Sequence, residues 1–200
     1  MYLLVIRHGE SEADILHVHE GRADFPLTDR GHRQAEAMAA YVAENHSVAR
    51  IYHSTLTRAR QTAEHLAAAT GCALRPDEEL MEFNNGLLAG LPYAAADEKY
   101  PEVPDLPLDQ AMYGMESKLA FRDRAERALA RILAETGEDE TVAVVSHGGM
   151  INQLYHAFLR LPVADGCRFA TGDTGIHLWA VRGGKRAVLM ANAEGHTKGI

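Results

Sequence analysis

Two histidines share one local setting: each follows a short apolar run and each precedes a glycine. His8 comes two residues after the run 2–6, and His147 comes two residues after the run 141–145. An imidazole nitrogen can act as a nucleophile, and an adjacent glycine lets backbone approach a ligand closely. A helix predicted to begin near Gly149 would also offer N–H groups and a positive dipole end to an anion. Both imidazoles are therefore candidates for chemistry on a bound anion.

Two arginines accompany these histidines. Arg7 directly precedes His8, and Arg58 falls in the first turn of a helix predicted to follow the short strand 51–54. A basic residue in the first helical turn is unfavourable to the helix dipole. An anion that Arg58 shares with the helix N-terminus would explain this position. Guanidinium groups are planar, permanently charged donors that suit such an anion.

The elements that must position these residues follow an alternating pattern. Apolar runs alternate with helical stripes, which predicts one α/β domain over 1–200 with a mostly parallel sheet. The predicted strands are 2–6, 51–54 and 141–145 with a hairpin at 176–190, and the predicted helices are roughly 29–45, 57–70, 116–135 and 149–159. Ligands of open α/β sheets bind at the carboxyl ends of the strands, where both histidines lie. The long Pro-rich segment at about 91–115 is predicted to be a lid or specificity loop.

The composition excludes several classes of protein. The chain has 200 residues, 46% hydrophobic and 24% charged, as expected of a globular domain with its own core. A net charge of −8 without a basic cluster argues against nucleic-acid binding, and no apolar run approaches the roughly 20 residues of a membrane span. No signal peptide is recognisable, and Cys72 and Cys167 form no disulfide framework, which favours a reduced, cytoplasmic setting.

Five short motifs stand in order along residues 1 to 150. They are Arg7-His8-Gly9-Glu10-Ser11, Gly21-x-x-Asp24-x-Pro26-Leu27-Thr28, Ser54-x-Leu56-x-Arg58-Ala59-x-Gln61-Thr62, Leu80-x-Glu82-x-x-x-Gly86 and Val145-Ser146-His147-Gly148-Gly149. Together they resemble the motifs of the histidine phosphatase superfamily (phosphoglycerate mutase-like, branch 1). The resemblance implies a three-layer α/β/α fold of the phosphoglycerate mutase-like type.

The resemblance also implies roles for individual residues. It implies a metal-independent phosphomonoesterase that passes through a phosphohistidine on His8, with Glu82 as general acid and base. The phosphate clamp would be formed by Arg7, Arg58 and His147. Further residues expected to contact the substrate are Ser11, Asp14, Gly21, Arg22 and Gly148. No metal and no cofactor is expected, because the arginines supply the positive charge.

Asp14 and the run at 17–20 are not explained by these motifs. Many members of the family carry Asn at the position of Asp14, and a carboxylate beside a phosphate is repulsive unless it is protonated or paired. Arg22 is the predicted partner for such a pair. The run His17-Val18-His19-Glu20 has a metal-like appearance, but no third ligand is specified, so a metal site there is disfavoured.

Three functions remain open at this stage. A phosphoglycerate mutase would need extra cations over the pocket, whereas residues 83–116 contain one basic residue, Lys99, and six acidic ones. This balance favours a phosphatase for a phosphorylated small molecule of unidentified structure. A non-catalytic phosphate-binding protein is the third alternative, and it would not need Glu82. Members of the family are often dimeric, so a homodimer stays open by analogy.

Overall fold

A six-stranded sheet runs through the computed structural model, which describes residues 1–163 and 166–200. Its strands are β1 (Tyr2–Arg7), β2 (Val48–Ser54), β3 (Leu74–Asp77), β4 (Thr141–Ser146), β5 (Ile176–Arg182) and β6 (Lys185–Ala193). Their order is β3-β2-β4-β1-β5-β6. The first four strands in this order pair in parallel, and β5 and β6 continue the sheet antiparallel. The predicted mostly parallel sheet is confirmed.

Helices cover both faces of this sheet. Those in the described residues are α1 (Glu12–Leu16), α2 (Asp29–Asn45), α3 (Thr57–Thr70), α4 (Tyr93–Lys99), α5 (Lys118–Glu135) and α6 (Gly148–Leu159). Side chains of β1 alternate between two cores: Leu3 and Val5 pack with α5 and α6, whereas Leu4 and Ile6 pack with α2 and α3. This arrangement confirms the three-layer α/β/α prediction. None of the described helices is long and apolar enough to cross a lipid bilayer.

Local sequence signals account for most helix ends. The Thr28 hydroxyl accepts the N–H of Gly31 at 2.9 Å and caps α2, and Gly71 ends α3 with a φ of 71°. Ser117 caps α5 in the same way through the N–H of Ala120. The boundaries of α2 and α3 therefore match the prediction, whereas α5 begins at Lys118 rather than 116.

The structure corrects the sequence interpretation in three places. Residues 91–115 are not wholly irregular, because the alanine-rich run after Pro92 forms α4. Helix α1 was missed because it spans only five residues. Strand β3 was missed because it is short and contains Pro76, which is tolerated here because β3 lies at the edge of the sheet.

Candidate active site

Three neighbouring parallel strands end at one place. Strands β1 and β4 are followed by His8 and His147, and β2 ends at Ser54. The two imidazole rings lie 5.0 Å apart, centroid to centroid, and both are buried. The Ser54 hydroxyl lies 2.7 Å from His147 Nε2. The sheet topology thus brings together two histidines that are far apart in the sequence.

The His8 ring is held as a neutral imidazole that carries its lone pair on Nε2. Its Nδ1 donates to the carbonyl oxygen of Gly9 at 2.7 Å, which leaves the lone pair on Nε2. Burial, followed by the positive charges of Arg58 and Arg7, holds the pKa of His8 well below its ordinary value. His8 is therefore unprotonated at neutral pH, as a nucleophile must be.

The Arg58 guanidinium is fully buried and is fixed by the loop after α1. Its terminal nitrogens donate to the carbonyl oxygens of Gly21 at 2.8 Å and Ala23 at 3.0 Å. Its Nε–H points to His8 Nε2 at 3.3 Å. The predicted binding residue Gly21, with a φ of +47°, thus acts through Arg58 by orienting its charge against the nucleophile.

Two further donors beside His8 have no partner among the described residues. Arg7 binds the Thr171 carbonyl oxygen and Asp173 through Nη1, but its Nε is buried and unpaired. His147 Nδ1 is also buried and unpaired. Burial lowers the pKa of His147 strongly. The Ser54 hydroxyl already accepts the N–H of Leu56, so we assign its own proton to the bond with His147 Nε2, which puts the single ring proton on Nδ1. Unpaired buried donors are rare, and these two lie beside His8, which makes them candidates for contacting a bound anion.

Glu82 lies just beyond the turn Glu78–Leu80, and its carboxylate is held by two backbone amides. Oε2 accepts the N–H of Gly149 at 2.8 Å, and Oε1 accepts the N–H of Phe83 at 2.7 Å. A Cβ on residue 149 would stand 2.4 Å from Glu82 Oε1, so a side chain there would displace this carboxylate from the Gly149 amide. The amide of Gly149, expected to face a ligand, instead binds Glu82. The helix also begins one residue earlier than predicted.

A cavity of about 560 Å³ opens onto part of this group of residues, with Arg58 and His147 buried behind its lining. Its lining includes Arg7, His8, Glu82 and Gly148, all of which were predicted from the sequence. The opposite wall comes from α6 and from the segment 166–171. The cavity therefore places His8 and Glu82 in one space that a ligand can enter.

The predicted pairing of Asp14 with Arg22 is wrong. Asp14 is exposed, and its Oδ2 accepts the backbone N–H of Ser11 at 2.8 Å at the start of α1. Arg22 donates instead to the Glu82 carbonyl oxygen at 3.4 Å and lies 3.9 Å from Glu116. The three-residue spacing from Ser11 to Asp14 is typical of an N-terminal cap, and this local bond prevails over the longer-range pair.

Sequence reasoning missed Glu20 as a site residue. Its Oε1 lies 3.1 Å from Arg58 Nε and accepts the Ser11 hydroxyl, and its Oε2 lies 3.6 Å from His8 Nε2. His17 is exposed at the end of α1, and the His19 ring packs on Tyr93 at 4.8 Å. The side chains of the run 17–20 therefore point to different places. Within residues 1–163 and 166–200, no three His, Cys, Asp or Glu side chains lie close enough together to hold a metal ion. The sequence signal for Glu20 was its position directly before Gly21, the first residue of the second motif.

Sequence reasoning also missed Arg124, which holds the turn that carries Glu82. Its guanidinium donates to the carbonyl oxygens of Glu79 at 2.8 Å, Met81 at 2.5 Å and Glu82 at 2.7 Å, and it pairs with Glu116. The signal was present in the sequence, since Arg124 falls on the apolar stripe of α5 where a charge needs buried partners.

Replacing Arg124 by methionine is expected to destabilise the protein by about 3–5 kcal/mol, because the Glu116 carboxylate and three carbonyl groups lose their buried partner. The matched control is Arg127→Met on the same helix. Its side chain is 61% exposed and pairs with Glu79, so the expected cost is below about 1 kcal/mol. Urea unfolding measures both variants, and equal costs would contradict this role of Arg124.

Comparison with known proteins gives one consistent result. A family model described as histidine phosphatase superfamily (branch 1) matches residues 3–194. The chain is 31% identical to the glucosyl-3-phosphoglycerate phosphatase of Mycobacterium tuberculosis over 173 residues, which covers 82% of this chain and 77% of that protein. It is 32% identical to phosphoglycerate mutase-like protein 4 of Arabidopsis thaliana over 164 residues, 76% of this chain and 69% of that protein.

A solved structure agrees over nearly the whole chain. The structure of a mycobacterial glucosyl-3-phosphoglycerate phosphatase with VO3 superposes with a TM-score of 0.84 at 28% identity. The match covers 96% of this chain and 98% of that one. The similarity therefore extends beyond the motifs at 1–150 to the helices and strands that follow.

Proposed function

The chain belongs to branch 1 of the histidine phosphatase superfamily, and from this premise we propose that it cleaves phosphate monoesters of small molecules through a phosphohistidine on His8. It is a phosphoric monoester hydrolase, and the proposal concerns its mechanism and its substrate. The carrying observation is a neutral His8 Nε2 beside two unpaired buried donors, Arg7 Nε and His147 Nδ1, within the part of the chain that the structure describes.

In the first step the phosphoryl group moves from the substrate to His8. Phosphoryl oxygens accept N–H groups from Arg7, Arg58 and His147, which neutralises their charge. The Nε2 lone pair attacks phosphorus, the P–O bond to the leaving group breaks, and Glu82 in its acid form gives that oxygen a proton. The products of this step are an alcohol and phosphohistidine.

In the second step water takes the place of the alcohol. The Glu82 carboxylate, now a base, removes a proton from water while the water oxygen attacks phosphorus. The P–N bond breaks, the electron pair returns to His8 Nε2, and inorganic phosphate leaves. The enzyme ends in its starting state, with the proton back on Glu82. Because Arg7 and Arg58 supply the positive charge, neither step uses a metal or a cofactor.

The organic part of the substrate is proposed to lie between α6 and the segment 166–171. These elements line the cavity through Asn152, Gln153 and Phe169. Phe169 is fixed there, because its ring stacks on Tyr155 at 4.2 Å and its N–H binds Asn152. Among the described residues that line this cavity none belongs to 91–115, so a specificity role for that segment stays a prediction.

Arg168 lies exposed at the mouth of this cavity and can contact a second anionic group of the substrate. The name of the mycobacterial relative denotes a glucosylated phosphoglycerate, and the glycerate part carries a carboxylate. We expect Arg168→Gln to raise KM for a phosphoester with a carboxylate by roughly tenfold, as for loss of one charged hydrogen bond, and to leave KM for a neutral aryl phosphate unchanged. Arg160→Gln, at the far end of α6, serves as control. An equal effect on both esters would contradict this assignment.

The experiment that tests the function is phosphate release from an aryl phosphate, with and without a metal chelator. The expected result is turnover that the chelator does not reduce. Activity that appears only with a bisphosphoglycerate would instead indicate a phosphoglycerate mutase, and tight phosphoester binding without turnover would indicate a binding protein. Either result would overturn the proposal. The cytoplasmic location and the homodimer stay predictions, as does the absence of nucleic-acid and membrane partners.

A further inference from the structure

The anion site beside His8 already contains a carboxylate of the protein itself. Glu20 lies with Oε1 3.1 Å from Arg58 Nε and Oε2 3.6 Å from His8 Nε2, and its side chain is 19% exposed. The mechanism described above does not use it. A phosphoryl group close enough to react with His8 Nε2 must place its oxygens in the same space, against the same arginine.

Charged and titratable groups face Glu20 from each of the elements that surround it. Arg7 and His8 face it from the end of β1, Arg58 from α3 and Asp14 from α1, and Glu82 lines the same cavity. A phosphate dianion would bring two more negative charges into this group. Two anions this close disfavour each other's ionised form, as in paired catalytic carboxylates.

Two changes could relieve this repulsion: the carboxylate could move away, or it could take up a proton. Movement would break the contacts of Glu20 with Arg58 and with the Ser11 hydroxyl. Protonation keeps the side chain in place and turns an acceptor into an O–H donor for a phosphoryl oxygen. Burial already raises the pKa of Glu20 in the free protein, with Asp14 adding to the effect.

We propose that Glu20 takes up one proton when phosphate binds, so that the neutral carboxyl group becomes a further donor to the phosphoryl group and makes phosphate affinity depend on pH. The inference rests on the proposed function only in placing the phosphoryl group at His8. Glu20 is thus a positioning residue for the phosphate. At alkaline pH, where the carboxyl group resists protonation, the site therefore binds phosphate more weakly than a site with a neutral side chain at position 20.

The test is isothermal titration calorimetry with inorganic phosphate, in buffers of different ionisation enthalpy, from about pH 6 to about pH 8.5. We expect the wild type to take up about one proton more than Glu20→Gln. The ratio of its Kd to that of the variant should rise by up to about tenfold per pH unit. Glu20→Ser serves as a second variant without the carboxyl group if Glu20→Gln does not fold. Glu10→Gln is the matched control, because Glu10 pairs with Arg30 outside the cavity.

Proton uptake that is equal in the wild type and in the Glu20 variants would overturn the proposal, because the proton would then lie on the phosphate or on a residue other than Glu20. Weaker phosphate binding by Glu20→Gln at every pH would overturn it as well. Phosphate binding needs no turnover, so this result is independent of catalysis. Loss of the proposed function would appear instead as absent phosphate release from an aryl phosphate in the wild type.

Discussion

His8→Ala is expected to lower kcat/KM for an aryl phosphate by at least about 10³-fold, because removal of a nucleophile leaves only the residual catalysis from binding and charge. The reason is geometric: Nδ1 donates to the Gly9 carbonyl oxygen, so Nε2 carries the lone pair, for which phosphorus competes with the Nε–H of Arg58 at 3.3 Å. Steady-state assays measure the effect. The control is His32→Ala, whose ring pairs with His65 instead of reaching the cavity. Near-wild-type activity of His8→Ala would contradict the nucleophile assignment.

The charge state of His8 adds a pH criterion to this prediction. Its pKa is held well below the ordinary value of 6.5 by burial and by Arg58 and Arg7, so the ring stays neutral as pH falls through 6.5. Activity of the wild type should therefore show no loss near pH 6.5 that is due to protonation of the nucleophile. An acid limb centred near pH 6.5 that is also present in Glu82→Gln would contradict the neutral His8.

Glu82→Gln is expected to lower kcat by about 10²–10⁴-fold for an alkyl phosphate, the usual contribution of a general acid and base. The loss should be much smaller in the first step for an aryl phosphate, since an acidic phenol leaves without a proton. Glutamine keeps the shape of the side chain but has one acceptor oxygen in place of two, so it retains the bond to one of the amides of Gly149 and Phe83 and loses the other. Because this loss affects both esters equally, the difference between the alkyl and the aryl ester isolates proton transfer.

Single-turnover kinetics on both esters measure this difference in the first step. Glu79→Gln is the control, because Glu79 lies in the adjacent turn and pairs with Arg127 and Arg131 on the outside. An equal loss on alkyl and aryl phosphates in that step would show that Glu82 does not protonate the leaving group.

The layered fold could be predicted because its signals are local. Residues 3–6 of the continuous apolar run 2–6 are buried, on both faces of the sheet, and α3 occupies 57–70 as its stripe and Gly71 indicate. Strand β3 gave no such signal, since it has four residues of which none is fully buried. It is recognised as a strand only by its pairing with β2.

Site residues could be predicted where their position follows from neighbouring residues in the sequence. They could not be predicted where it depends on contacts between residues far apart in the sequence. His8 and His147 could be identified because each directly follows a strand. The position of Glu20 depends on its contact with Arg58, which lies 38 residues away in the sequence. The carbonyl oxygens of Gly21 and Ala23 hold the Arg58 guanidinium at this place. The amide of Gly149 was assigned to a ligand because sequence alone does not show that Glu82 reaches it.

The most direct test of the account is to trap the phosphorylated enzyme. Glu82→Gln, slowed in the step that needs a base, is mixed with an aryl phosphate and quenched in alkali, where a phosphoramidate survives. Peptide mass spectrometry then locates the phosphoryl group. The account predicts one phosphoryl group, on the peptide that contains His8, and none in the double variant with His8→Ala. Phosphate released without a phosphorylated His8, or a phosphoryl group on another residue, would contradict it.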